Sequence, residues 1–256
     1  MAVQPVIVLE FNELSPSLMD AFIGRGILPN FKALRDQSQV FVTDAEEHAP
    51  NLEPWIQWVT AHTGLSFAEH GIFDLGDGHK LTNPRLWEIL SGHGHSVWIC
   101  GSMNAAFHKP VNGFILPDPW STGIQPYPKG EFEAYFDYVR RNVQEHSRES
   151  LPISKADHLR FLTYLAGHGL SLKTLRSTMQ QLLEERSGRG RWKRATILDR
   201  FQWDVFAHYW KQYNPTFSTF FLNSTAHFQH MHWRNMDPAP FKVKPTDSEQ
   251  AEYQHA

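Results

Sequence analysis

The order of apolar runs and amphipathic stretches is the feature that most limits the folds open to this chain. The run PVIVLEF at 5–11 has the composition of a parallel strand that is buried on both faces. A helical pattern follows at 15–26, with Ser15 placed to cap its start. Because strand and helix patterns keep alternating, we expect an α/β fold with an open, mainly parallel sheet flanked by helices.

The remaining patterns divide the chain into a sheet-forming part and a helical part. After the first helix the predicted elements are helix 28–38, strand 39–47, helix 53–64, helix 85–94, strand 96–102 and, much later, strand 216–224. Nearly all of 131–212 has helical periodicity. We therefore predict an α/β core formed by 1–120 and 213–256, with 121–212 as a helical insertion or cap.

Charge and cysteine content narrow the classes of partner and site. A net charge of −3 gives no reason to expect nucleic acid or a membrane surface as a partner. The single cysteine, Cys100, excludes an intrachain disulfide and a zinc site built from several cysteines, and its apolar neighbours favour a core thiol. The sequence has no apolar run of the roughly 18 residues that a membrane span needs, and its N-terminus has no basic leader. A cytoplasmic protein is expected, and no pattern indicates the oligomeric state.

Metal-binding side chains are concentrated where predicted strands end. The candidates are Glu10, Asn12 and Glu13 at the first strand, Glu53 before the helix 53–64, and His227, His230 and His232 after the last strand. Carboxylate, amide and imidazole ligands together suit zinc or manganese, or magnesium with partial histidine ligation. On a helix His227 and His230 share a face and His232 points elsewhere, so at most two of the three could bind one ion.

Each candidate also has a purely structural interpretation. A His-x-x-His pair outside a known motif is more often a surface or hydrogen-bonded pair than a metal site. Glu10 follows a buried strand directly, and a carboxylate at that depth needs either a protein partner or a metal. Trp55 and Trp58 would form an aromatic platform for a sugar or base, or simply pack in the core.

Five segments resemble, in the same order, motifs of the type I phosphodiesterase/nucleotide pyrophosphatase branch of the alkaline phosphatase superfamily. They are VIVLEFNELSPSLMDAFIGRGILPNFKALRDQ (6–37), WVTAHTGLSFAEHGIFDL (58–75), LWEILSGHGHSVWICGSMNA (86–105), KPVNGF (109–114) and AHFQHMHWRNMDP (226–238). The likeness covers about 1–120 and 216–238. It implies an alkaline phosphatase-like fold and the hydrolysis of a phosphate, phosphodiester or sulfate ester. The implied substrate is a small-molecule ester or a nucleotide- or sugar-linked compound.

The resemblance also implies a site with two divalent metals, often zinc, and a Thr or Ser nucleophile at a helix N-terminus. Here the family's first metal-binding Asp falls on Asn12, and the Asp of its later motif falls on Ala226, whereas the His of that motif is retained as His230. The likeness therefore implies a metal site with two of its carboxylates replaced.

The nucleophile position departs from the family as well. It falls on Pro54, or on Glu53 if the loop is shifted by one residue, and neither carries a hydroxyl. Thr60, lower on the same helix, is the other candidate nucleophile or else a packing residue. The family's Asp-His-Gly motif does not follow residue 238, so we expect the chain to be an N-terminal portion of a longer protein.

Two functional hypotheses follow. In the first, the chain is a metal-dependent hydrolase that uses zinc or manganese at a rebuilt site. That site contains Glu10, Asn12, Glu53 and His230, with His227 or His232 in place of the lost Asp. In the second, the fold persists without catalysis, as a ligand-binding or scaffold module.

Overall fold

A computed structural model describes residues 4–121, 123–143, 153–188 and 190–254. The strands in these ranges are β1 (Val6–Phe11), β2 (Val97–Cys100), β3 (Gly113–Leu116) and β4 (Phe217–Leu222). They form one sheet in the order β1-β4-β2-β3, and every neighbouring pair is parallel. The prediction of an open parallel α/β sheet is confirmed.

Helices flank the sheet and provide most of the described structure. The α-helices are α1 (Pro16–Gly24), α2 (Pro29–Asp36), α3 (Pro54–Thr63), α4 (Phe67–His70), α5 (Leu86–Gly92), α6 (Glu133–Val143), α7 (Lys155–Gly167), α8 (Leu172–Arg186), α9 (Arg194–Tyr213), α10 (Ser224–Met236) and α11 (Asp247–Tyr253). The described ranges also contain two short 3-10 helices, at Asp77–Lys80 and Arg191–Lys193. None of the helices in the described ranges is both long and apolar enough to cross a membrane.

The strand predicted at 39–47 is wrong. Residues 39–48 have no regular secondary structure, and Val40, Phe41 and Val42 are exposed at 66%, 79% and 97%. Apolar β-branched residues become a strand only when a neighbouring strand pairs with them, and no such neighbour is present in the described part of the chain. β3 was not predicted, because its four residues begin with Gly113 and glycine is depleted in strands.

β1 lies at the edge of the sheet. Its register with β4 runs from Val6 opposite Phe217 to Phe11 opposite Leu222, and its other edge pairs with no described strand. Its apolar residues from Val6 to Leu9 are exposed by 37% to 51%, so the expected burial of both faces is wrong. The apolar composition predicted the strand, but position within the sheet decides burial.

The main hydrophobic core joins the sheet to the helices of the 121–212 segment. Trp98 of β2 stacks on Phe132 and Phe206, with ring centroids 5.4 Å and 6.1 Å apart and interplanar angles of 13°. Its indole N–H donates to the Phe206 carbonyl at 3.1 Å. Phe220 of β4 packs against Phe206 at 5.0 Å. Tyr135 of α6 and Phe161 of α7 are buried in the same cluster, so α6, α7 and α9 share one core with the sheet.

Candidate functional site

The carboxyl ends of β1 and β4 lie side by side and define the candidate site. Phe11 and Leu222 are partners at the end of the β1–β4 register. Asn12 and Glu13 follow β1, and Asn223 follows β4 as the N-cap of α10. Because all four strands are parallel, this is the edge where α/β proteins place ligands.

Asn12 is buried and already bonded through both amide atoms. Its Nδ2 donates to Asn223 Oδ1 at 2.8 Å, and its Oδ1 accepts from Trp58 Nε1 at 2.8 Å. The Asn12 carbonyl accepts from Thr225 Oγ1 at 2.7 Å. The residue thus connects β1, α3 and α10, and its role as a metal ligand stays a prediction.

Glu10 has protein partners for both carboxylate oxygens. It is 2% exposed, with Oε1 at 2.9 Å from His62 Nε2 and Oε2 accepting from Ser102 Oγ at 2.6 Å. Ser102 Oγ lies 2.7 Å from Thr219 Oγ1, which extends the network across the sheet. The buried carboxylate needed a partner, and His62 on α3 supplies it. Metal binding by Glu10 remains a prediction.

Cys100 lies near this network and is a core thiol, as predicted. It is fully buried and forms no disulfide. Burial raises the pKa of its thiol well above the usual value, and the nearby Glu10 charge raises it further. A thiol that resists ionisation is a poor nucleophile.

Glu13 and His230 form a carboxylate–imidazole pair that is open to solvent. His230 Nε2 lies 2.6 Å from Glu13 Oε2, and the two side chains are 66% and 33% exposed. Glu13 has a φ of 53°, a left-handed conformation that non-glycine residues adopt infrequently. Gln229 helps to hold this turn, because its Nε2 donates to the Glu13 carbonyl at 2.5 Å. Such backbone outliers are enriched at functional sites.

The other two histidines of α10 have different surroundings. The ring of His232 stacks on Tyr253 at 4.9 Å and lies 6.3 Å from the ring of His227. The sequence predicted that His232 points away from both other histidines. For His227 this is wrong, because the two rings are neighbours. His227 is exposed, yet desolvation and then the neighbouring His230 lower its pKa. Neither ring contacts Glu13 in the described structure.

The two predicted catalytic residues, Glu53 and Thr60, occupy separate positions on α3. Glu53 is the exposed N-cap, and its side chain makes no hydrogen bond to any described residue. Thr60 Oγ1 lies 3.2 Å from His70 Nε2. Because His70 Nδ1 accepts the Ile72 N–H at 3.0 Å, Nε2 carries the proton and donates to the threonine. His70 in this tautomer cannot act as a base toward Thr60.

The two predicted substrate-binding tryptophans make structural hydrogen bonds. Trp55 Nε1 donates to the Phe73 carbonyl at 2.8 Å, which ties α3 to the following loop. Trp58, besides its bond to Asn12, stacks on His62 at 5.6 Å and meets Phe221 edge-on at 5.5 Å. Both side chains are half-buried, and a platform for a sugar or base stays a prediction.

The side chains at this edge supply fewer metal ligands than the expected site needs. Catalytic zinc usually takes three protein ligands and leaves one position for water or substrate. Glu13 and His230 supply two donors, and no three His, Cys, Asp or Glu side chains of the described ranges are grouped to hold one ion. The residues present therefore do not fit the two-metal centre that the family resemblance implies.

Comparison with known proteins identifies no similar family, protein or structure. The chain matches no protein-family model, no curated protein and no solved structure. The likeness to the alkaline phosphatase superfamily consequently rests on the sequence motifs.

Proposed function

We propose that this chain hydrolyses a phosphate, phosphodiester or sulfate ester of a small molecule, with Glu13 and His230 as its reactive pair. The observation that carries the proposal is the 2.6 Å contact between a carboxylate and an imidazole at the carboxyl ends of two adjacent parallel strands. The pair is reachable from solvent, and the left-handed turn at Glu13 positions it.

The contact determines which nitrogen can act as a base. The Glu13 carboxylate accepts the proton on His230 Nε2 and so leaves Nδ1 with a free lone pair. In the proposed step, Nδ1 takes a proton from a water molecule while the water oxygen bonds to phosphorus or sulfur. The ester oxygen leaves with its electron pair, and the proton on Nδ1 then passes to it. A carboxylate-oriented histidine acts in the same way in other hydrolases.

A substrate panel tests the proposal. The purified chain is assayed with an aryl phosphate, a bis-aryl phosphate and an aryl sulfate, each alone and with added zinc or manganese. We expect turnover of at least one ester, and a loss of at least about 10-fold in Glu13→Gln, because the amide cannot stabilise the imidazolium.

His93→Ala is the matched control, since His93 is an exposed histidine at the end of α5. Its activity should equal that of the wild type. Absence of turnover under every condition, or equal rates in the wild type and Glu13→Gln, would refute the hydrolase.

A second candidate is a ligand-binding module without catalysis. It is supported by the existing hydrogen bonds of Glu10, Asn12 and Thr60, and by the carboxylate that replaces a hydroxyl at Glu53. This module would bind phosphate or sulfate at the His230 site, seen as chemical-shift changes of the His230 ring, while releasing no product from the panel.

A further inference from the structure

An open cleft lies on the face of the sheet opposite Glu10. Leu9 and Phe11 alternate with Glu10 along β1 and therefore point to the other face. Together with residues of β4 and α9 they line a cleft of about 710 Å³. This volume is within the range of small-molecule sites.

The floor of the cleft is apolar and exposed. Leu9 is 46% exposed and Trp203 is 49% exposed, and both line the cleft beside Phe220 and Leu222. Trp203 meets Phe220 edge-on with centroids 5.2 Å apart, which fixes one flank of the floor. Large apolar side chains gathered around one opening are typical of a binding surface.

Three cations also line this cleft. Lys173 lies in the first turn of α8, and Arg200 and Lys211 lie on α9. None of the three forms an ion pair with another residue in the described ranges, whereas Lys193 and Arg194 nearby are paired with Glu184 and Glu185. The positive charge in the cleft is thus left uncompensated by cation–carboxylate pairs.

The remaining ionisable groups of the cleft do not cancel this charge. Asp204 is buried and accepts from Ser171 N–H at 2.9 Å, where it faces the N-terminus of α8. Asp199 accepts from Ser224 Oγ, and burial raises its pKa to about 6. Burial, and then the neighbouring His168, lower the pKa of His208, which favours its neutral form at pH 7. Three cations therefore face at most two carboxylates.

We propose that this cleft binds an anionic amphiphile, a small molecule with an apolar acyl or aryl part and a phosphate, sulfate or carboxylate group. The apolar part lies on the floor formed by Leu9, Phe220 and Trp203, and the anion pairs with the unpaired cations that line the cleft, Arg200 first among them. The proposal is independent of catalysis by Glu13 and His230.

Titration calorimetry with decylphosphonate below its micelle concentration tests the cleft, because the carbon–phosphorus bond resists hydrolysis. Methylphosphonate carries the same head group without the chain, and decyltrimethylammonium carries the chain with the opposite charge. Of these three compounds, we expect only decylphosphonate to bind, saturably and with one-to-one stoichiometry. Arg200→Gln and Trp203→Ala should each weaken it by about 10-fold, through loss of a charge-assisted bond and of apolar contact respectively.

Lys129→Gln, an exposed lysine outside the cleft, is the control and should bind as the wild type does. His230→Ala should also bind normally, which separates this proposal from the hydrolase. Circular dichroism verifies that every variant is folded. Equal affinity for decyltrimethylammonium, unchanged affinity in both cleft variants, or no binding of decylphosphonate would each overturn the proposal.

Discussion

Two carboxylates, the buried Glu10 and the half-buried Asp199, are compensated differently by their hydrogen-bond partners. Glu10 has an imidazole and a hydroxyl as partners. Asp199 has the Ser224 hydroxyl, and its burial raises its pKa to about 6. A single hydroxyl compensates less of the cost of burying a charge than an imidazole does. Removing the charge of Asp199 should therefore stabilise the protein, whereas removing the imidazole partner of Glu10 should destabilise it.

Replacing Asp199 by Asn should stabilise the protein at alkaline pH. The folded pKa of about 6 lies above the usual 3.8, so the folded state binds more protons between these values. The free energy of unfolding of the wild type then falls as pH rises through 6. That of Asp199→Asn lacks this contribution, because an amide does not titrate. We expect Asp199→Asn to raise the free energy of unfolding at pH 8 by about 2 kcal/mol, with the gain shrinking toward pH 4. Urea denaturation at both pH values measures it, and an equal gain at both would contradict the assignment.

Removing His62 should destabilise the protein, because it leaves Glu10 buried with a hydroxyl as its remaining hydrogen-bond partner. We expect His62→Ala to lose about 3 kcal/mol of unfolding free energy, and Glu10→Gln in that background to recover part of it. The exposed His93→Ala should change stability by less than about 0.5 kcal/mol. Urea denaturation compares the variants, and a His62→Ala midpoint equal to that of the wild type would show that the pair contributes nothing.

For single residues, the sequence indicated that the Glu10 carboxylate requires a hydrogen-bond partner, but it did not identify that partner. A carboxylate directly after an apolar strand requires compensation, and this was predictable for Glu10. His62 lies 52 residues away, and its approach depends on the rotation of α3. Glu13 was among the strand-end candidates. Its contact with His230, however, depends on a left-handed backbone conformation at Glu13 that no sequence pattern predicts.

Among the elements, β3 depends on one glycine for its approach to β2. Gly113 has a φ of +144°, and a Cβ there would lie 1.9 Å from the Val97 carbonyl oxygen. Gly113→Ala should therefore cost about 3 kcal/mol of unfolding free energy. Gly130 is the matched control, with a φ of +93° and open space around the added carbon. Gly130→Ala should cost about 1 kcal/mol, and similar losses in both variants, measured by thermal unfolding, would argue against the clash.

The elements that the sequence predicted well are those whose neighbours match their pattern. α3 buries Ile56, Val59 and His62, and β2 and β4 are buried in the middle of the sheet. The segment 39–48 has the residues of a strand but no partner in the described structure, so local preference was insufficient.

For the molecule as a whole, the shared core argues for one cooperative unit. Trp98 of the sheet and Phe132, Phe206 and Tyr209 of the helical segment are all buried in the same cluster. We expect a single calorimetric transition, with a calorimetric enthalpy equal to the van't Hoff enthalpy. Two resolved transitions would mean that the helical segment folds as a separate domain. The division into core and insertion stays a prediction that this experiment tests.

The fold was thus more predictable than the site. Alternation of strands and helices specified a parallel sheet with its ligand edge at the carboxyl ends of the strands. The chemistry at that edge depends on contacts between residues more than 200 positions apart, such as Glu13 with His230 and Asn12 with Asn223.

The most direct test of the hydrolase is the kcat/KM of His230→Ala on whichever ester the wild type cleaves. Because the variant loses the proposed base, we expect kcat/KM to fall by about 10² to 10⁴-fold. The His230 side chain is 66% exposed, so added imidazole should reach the vacated position and restore part of the rate. A His230→Ala enzyme with wild-type kcat/KM would contradict the assignment of Glu13 and His230 as the reactive pair.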